Sequence, residues 1–361
     1  MNKNLIGKWY KEELGETINI FDEIPPRMKM SFSSSGHYNF EPNCVYEDAD
    51  NLCFEINDDH YRMVYHIHYE KGQLRGYYTQ FGKKTPVAYQ KQSDIPEDGD
   101  YKYIPTEIYV PETEKSRINV LREYSDYMPG NSLISDSTYE LNGKAPEILA
   151  KYGFESYFID IPADSDTIVF AALDFVCDHF GHDGCNGMGK SATIKEQIEF
   201  CETHNGKVNC RGLAILLASI LRLKGIKARH ITCMPYEEPF TDCHVVVDCL
   251  LPSGSRIMLD PTNHLYYTDQ NGEYVSLRHL REMLINGEEL FHNQKASYNK
   301  GAFNAEYNRN YMIKNTFRFF RGCTFSDGID EHLVDLIPQK YIDKQVKGRA
   351  FTTDDTAFWK M

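Results

Sequence analysis

The chain has 361 residues, of which 41% are apolar and 25% charged, and its formal net charge is −14. That length exceeds what one ordinary core supports, so two or three domains are expected, and 20 Phe with 25 Tyr argue against a disordered chain. The acidic balance and the lack of any run of Lys and Arg argue against a nucleic-acid or membrane-surface binder, because such partners need a concentrated basic face.

The opening residues, Met1 to Trp9, lack the apolar stretch of a secretory signal. No segment reaches the roughly 18 apolar residues that a spanning helix requires. Ten cysteines are scattered without a C-x-x-C pair, so no structural metal site is expected and the thiols read as reduced, in a cytoplasmic setting.

Residues 1–92 read as a small all-β meander. Met28-Lys-Met-Ser-Phe32, His37-Tyr-Asn-Phe40 and Tyr61 to Tyr69 are short and aromatic, and turn residues at Ser33 to Gly36, Asn57-Asp-Asp59 and Glu70-Lys-Gly72 separate them. Such a meander closes into a barrel or a curled sheet. His66 and His68 share a face, but no third ligand accompanies them, so two polar strand positions are the expectation. A polar linker and connecting segment, 93–130, follows. Residues 131–361 then form the second domain, with a C-terminal extension whose Tyr298, Tyr307, Tyr311 and Phe317 either wall a groove or cover strand edges.

Within that domain, Asp166 to Phe180 has helical spacing and a glycine-studded loop runs from Gly181 to Gly189. A short helix is expected over 192–201. The next helix begins near Cys210, where Leu213, Leu216, Leu217, Ile220 and Leu221 form one apolar face and Gly225 stops it. Strand-like runs at 228–233, 244–250 and 255–259 complete an α+β order. Cys210 thus falls in the first helical turn, where unpaired N–H groups and the helix dipole stabilise a thiolate and could hold an oxyanion. Strand 244–250 begins at His244. The strand after the turn Pro252-Ser-Gly254 ends at Asp260-Pro261. An antiparallel hairpin of these two strands makes His244 and Asp260 neighbours, as a carboxylate orienting an imidazole must be. Pro261 is expected to leave Asp260 at a rim. His230 and His264 rank below His244 as bases, and Cys243 is expected on the opposite strand face from His244, buried.

Asn209-Cys-Arg-Gly-Leu-Ala214, Leu221 to Arg229, Cys243-His-Val-Val-Val247 and Leu259-Asp-Pro-Thr262 resemble, in order and spacing, the transglutaminase-like core over roughly residues 165–265. The resemblance implies a papain-like α+β fold with Cys210 as nucleophile, His244 as base and Asp260 as orienting acid. The opening Gly7-Lys-Trp9 resembles the start of lipocalin-like barrels. The aromatic oxyanion residue often found upstream of the family's cysteine has no fixed counterpart here. Gln197, Asn205 and Asn209 are candidates on chemistry alone.

The chemistry expected is cofactor-free acyl transfer from an amide of a peptide or protein substrate. It would run through a thioester to hydrolysis, as in a cysteine peptidase or amidase, or to glutamine transamidation. Hydrolysis is favoured because no calcium loop or amine site is marked. Two further classes stay open. One is a non-catalytic ligand- or protein-binding module; the other is an arylamine acetyltransferase-like acyl transfer, which shares the Cys, His, Asp order.

Overall fold

Strands of two to eleven residues cannot bury a face alone, and the first unit of the chain resolves this by pairing all of them into one sheet. The computed structural model describes residues 3–361 except 13–14, 25, 33–36, 43, 49–50, 58–61, 81–82, 104–110, 130–135, 185, 188–192, 237–241, 328–332 and 345–349. The chain divides into two units, Met1–Glu114 and Lys115–Met361.

The first unit contains β1 Gly7–Lys11, β2 Glu16–Phe21, β3 Arg27–Phe32, β4 His37–Phe40, β5 Cys44–Asp48, β6 Asn51–Asn57, β7 Arg62–Glu70, β8 Gln73–Gln80, β9 Lys83–Ser93 and β10 Lys102–Tyr103. Their order in the sheet is β10-β4-β3-β2-β1-β9-β8-β7-β6-β5, every pairing antiparallel. Because β1 is shared by β2 and β9, the meander curls into a half-barrel. It opens between β4 and β5, which do not pair among the described residues. Alternate residues fill the inside: Trp9, Ile18, Met30, Phe54, Tyr65 and Tyr89 are buried there. One carboxylate shares that interior. Glu16, 1% exposed, accepts from Tyr89 Oη at 2.9 Å, Tyr65 Oη at 3.3 Å and Lys11 Nζ at 3.5 Å; without these donors a buried charge would be prohibitively costly. His66 bonds Cys53 (3.0 Å) and stacks on Tyr77, while His68 lies 3.9 Å from Glu70.

The first unit reaches further than the expected boundary at residue 92. Asp98 forms a bidentate pair with Arg27, the Glu97 N–H donates to Asn19 Oδ1 at 2.9 Å, and β10 pairs with β4. The polar stretch from 93 to 103 is therefore stitched to the sheet by charge and backbone bonds, and does not run free as a linker. Helix α1, Pro111–Glu123, crosses the division and ends in the second unit, where Leu121 and Tyr124 join the core.

In the second unit the chain forms β11 Thr138–Tyr139, α2 Thr167–His179, β12 Gly181–His182, α3 Ile194–Thr203, β13 Lys207–Val208, α4 Cys210–Leu223, β14 Ala228–Met234, β15 His244–Leu250, β16 Arg256–Leu259 and β17 Tyr267–Thr268. Then come α5 Leu277–Asn286, β18 Phe291–His292, α6 Ala305–Asn315, β19 Arg318–Arg321, β20 Thr324–Phe325, β21 Val334–Leu336, β22 Ala350–Thr352 and α7 Asp355–Trp359. The main sheet has the order β16-β15-β14-β19-β21-β22. Along β15 the residues alternate between two cores, Val245, Val247 and Cys249 with α2, α3 and α4, and Val246 with α5, α6 and α7. The sheet is thus covered on both faces, an α+β arrangement as expected.

Helix α4 is the axis of this unit. Its expected face is buried in full, with Leu213, Leu216, Leu217, Ile220 and Leu221 each at most 1% exposed, contributing roughly 1.5–3 kcal/mol apiece. It ends where Gly225 takes φ +84°; a Cβ there would meet Asn142 Oδ1 at 2.6 Å. A side chain at this position would fail on both conformation and space.

Candidate active site

Three local structures bring the candidate groups together. The first is the start of α4. Asn209 has extended backbone and its Oδ1 accepts from the Gly212 N–H at 2.9 Å, so it is the N-cap and Cys210 the first helical residue. The second is the β15–β16 hairpin, whose register sets Val247 opposite Leu259 and Leu250 opposite Arg256. At its open end His244 Nε2–H donates to Asp260 Oδ2 at 2.8 Å.

Asp260 is 1% exposed and so lies deeper than the expected rim. The turn after Pro261 folds back on it: the Asp260 N–H donates to Leu265 O and the Leu265 N–H to Asp260 O, at 2.8 and 3.0 Å. Its carboxylate also accepts from the Thr262 N–H at 3.0 Å and Asn263 Nδ2 at 2.8 Å. Burial alone would raise Asp260, but the charge and hydrogen bond of His244, then Asn263 and Thr262, outweigh it and hold the carboxyl below its usual range.

The third local structure carries a residue that the sequence reading missed. Strand β12 runs parallel to β13, with Gly181 opposite Lys207 and His182 opposite Val208. Since β13 leads straight into α4, this pairing sets His182 beside Cys210. Asn299 clamps the strand from the other side, accepting from the His182 N–H at 2.7 Å and donating to His182 O at 3.0 Å. Tyr298 Oη lies 2.9 Å from His182 Nδ1. No period or spacing marks a histidine in a glycine-rich loop, and its partners come from 116 and 117 residues away.

Cys210 is half-buried and its thiol engages both histidines. Burial by itself would push the thiol up, but hydrogen bonds with His182 and then His244, together with the charge of those rings, pull it down to about 6. In His244 burial opposes the cation. The Asp260 charge and hydrogen bond prevail, with Cys210 adding to them, and the ring is raised to about 10. Between those values the stable form is a thiolate beside an imidazolium, and the N–H groups of the first turn of α4 favour the same charge. With Nε2 on Asp260, Nδ1 is the ring nitrogen left for the sulfur. The Tyr311 ring packs edge-on against His244, centroids 5.5 Å apart, and its Oη donates to Asp242 Oδ1 and Cys243 O. Tyr311 therefore covers His244 and ties down the residues before it.

The remaining candidates lie elsewhere. Gln197 is fully buried in α3, among Ile194, Ile198 and Cys201. Asn205 is exposed at φ +54° in the turn between α3 and β13, a role that suits Asn's tolerance of left-handed backbone. Asn209 spends its side-chain oxygen on the helix cap. His230 is buried beneath Phe325, and His264 bonds Asp174 at 2.7 Å, beside Lys295. Cys243 is half-buried, and burial pushes its thiol up to about 12, so Cys210 stands apart from it in acidity.

A cysteine at a helix N-terminus, faced by a histidine and a carboxylate from an antiparallel hairpin, has the geometry of papain-like thiol folds. Residues 161–261 match the family model of the transglutaminase-like superfamily, so the chain contains a transglutaminase-like core. No curated protein matches the chain. Among solved structures it is similar to the crystal structure of the periplasmic domain of TgpA from Pseudomonas aeruginosa, at 15% identity and a TM-score of 0.24, over 70% of this chain and 88% of that one. No helix among the described residues is long and apolar enough to cross a membrane.

Proposed function

We propose that this protein is a thiol enzyme that transfers acyl groups from amides through Cys210, and that water is its usual acceptor. One observation carries the reading: the half-buried Cys210 thiol lies in hydrogen-bonding contact with two histidines, one of them anchored by a buried carboxylate.

The Cys210 thiolate attacks the amide carbonyl carbon, and the electron pair of the C=O moves onto oxygen. His244, an imidazolium through its Nδ1 proton, donates that proton to the departing amine, and a thioester remains. The now neutral His244 takes a proton from water, whose oxygen attacks the thioester; collapse releases the acid and restores the thiolate–imidazolium pair. Asp260 keeps Nε2 protonated throughout and holds the ring against rotation.

The oxyanion needs donors, and two sources lie at Cys210: the backbone N–H groups of the first turn and His182. Tyr298 Oη takes up His182 Nδ1, which leaves Nε2–H as the donor on the sulfur's side of the ring. His182 is the oxyanion side chain in this reading, in place of Gln197, Asn205 or Asn209.

An activity-based thiol probe combined with a peptide-library digest tests the proposal. Wild type should label at one site and cleave, and Cys210→Ala should do neither. Equal labelling and cleavage by both proteins would remove the enzyme reading and leave a binding module.

A further inference from the structure

A cavity of about 400 Å³ lies in the second unit among the segment after α1, helix α5, strand β19 and helix α7, and shares no residue with the Cys210 site. Tyr127, Arg281, Ile285, Phe319 and Trp359 form its walls, with Arg278 and Asp355 beside them. Its volume is within the range of small-molecule sites.

The charges lining it are unevenly matched. Arg278 pairs with Asp355 at 2.6 Å and lies 3.8 Å from Glu282, so both lining carboxylates are engaged by one cation. Arg281 is only 5% exposed. Its Nε donates to Thr316 O at 2.9 Å and its Nη2 to Leu121 O and Tyr124 O at 3.3 and 3.2 Å. These three acceptors are neutral. Among the described residues Nη1 has no acceptor and no carboxylate pairs with this guanidinium. The Tyr127 ring lies 5.5 Å from the guanidinium, and its buried Oη has no hydrogen-bond partner.

A buried cation without a counter-charge costs free energy. An anion that accepts from the free guanidinium edge of Arg281 removes that cost. Beside the guanidinium, Ile285, Phe319 and Trp359 form an apolar wall and Ser125, Glu282 and Asn286 a polar one, so a bare inorganic ion would leave the apolar part of the space unused. We propose that this cavity binds a small organic carboxylate with an apolar or aromatic body. The carboxylate sits on Arg281, and the body lies against Phe319 and Trp359.

Isothermal titration of the full chain with phenylacetate, and with phenylethylamine as the cationic counterpart of the same shape, tests this. Phenylacetate should bind saturably and phenylethylamine should not. Arg281→Gln, which removes the cation, should weaken phenylacetate about five-fold. That side chain also ties three carbonyls, so the contrast between the two ligands decides where Arg281→Gln fails to fold. Cys210→Ala should bind as wild type does, which keeps this site independent of the thiol chemistry. Absence of saturable phenylacetate binding, equal binding of the amine, unchanged binding by a folded Arg281→Gln, or loss of binding in Cys210→Ala would each overturn the proposal.

Discussion

At the scale of single residues, the site is a balance of burial against charge. Cys210 is brought to about 6 and His244 to about 10, so the thiolate–imidazolium pair exists between those values. The rate of amide cleavage, or of alkylation by iodoacetamide, should rise as pH passes about 6. Cleavage should fall again near pH 10, where His244 loses the proton it must donate. A cleavage profile still climbing through pH 10 would contradict the assignment of His244. Removing Asp260's charge in Asp260→Asn should lower kcat by about 10²- to 10⁴-fold, because His244 then loses its orientation and cationic bias. His182 is separable from both. His182→Ala should lower kcat by about 10²- to 10³-fold and move the acid limb of the iodoacetamide profile to higher pH, since a partner of the thiolate is gone. Tyr298→Phe should leave that limb nearly in place and lower kcat less. A His182→Ala protein with unchanged limb and kcat would reduce His182 to a packing role.

At the scale of elements, the sheet of the second unit is closed by a short helix that no periodic pattern announces. Helix α7 is five residues long, yet Phe358 is fully buried and Trp359 nearly so. Arg229 donates to Phe358 O, Trp359 O and Lys360 O, and Arg321 to Phe358 O at 2.9 Å. Arg229 also pairs with the buried Asp248 at 3.0 Å. The helix thus satisfies two buried guanidiniums of the main sheet by its backbone carbonyls while its aromatic rings fill the core. Phe358→Ala should cost about 3–5 kcal/mol in denaturant unfolding of the second unit, far above what a surface helix of that length would contribute. A loss under 1 kcal/mol would mean that the arginines, rather than the rings, hold the segment. The cap of α3 supplies a smaller, local contrast. Thr193 and Glu196 form a reciprocal capping box, and Thr193→Ala should cost about 1 kcal/mol.

For the whole molecule, every group assigned a part in the thiol chemistry belongs to the second unit. A chain trimmed to 104–361 retains all of α1, with Leu121 and Tyr124 in its core. It should therefore label with iodoacetamide at the full-length rate. A labelling rate that collapses on trimming, with the circular dichroism of the remaining chain unchanged, would give the half-barrel a part in the chemistry.

What the sequence determined by itself were the parts whose signals are short-ranged. Helix α4 announces itself through the 3.6-residue spacing of its leucines, and that spacing is enough to locate Cys210 at the dipole's positive end. The meeting of His244 and Asp260 was also readable, because they are 16 residues apart and joined by a hairpin with a visible turn. Local turn chemistry can carry a prediction over that distance. The extent of the first unit was not readable in this way: its boundary depends on Asp98 finding Arg27, 71 residues away, and a polar stretch looks like a linker until that partner is known. His182 escaped for the same reason, and for Tyr298 and Tyr311 the choice between walling a groove and covering a strand edge stayed open. Their roles arise from a two-residue parallel pairing and from side chains that return to the site after the chain has closed its sheet. Tertiary structure alone decided them, since hydrophobic periodicity fixes which face of an element is buried but carries no information about which distant polar group will meet it there.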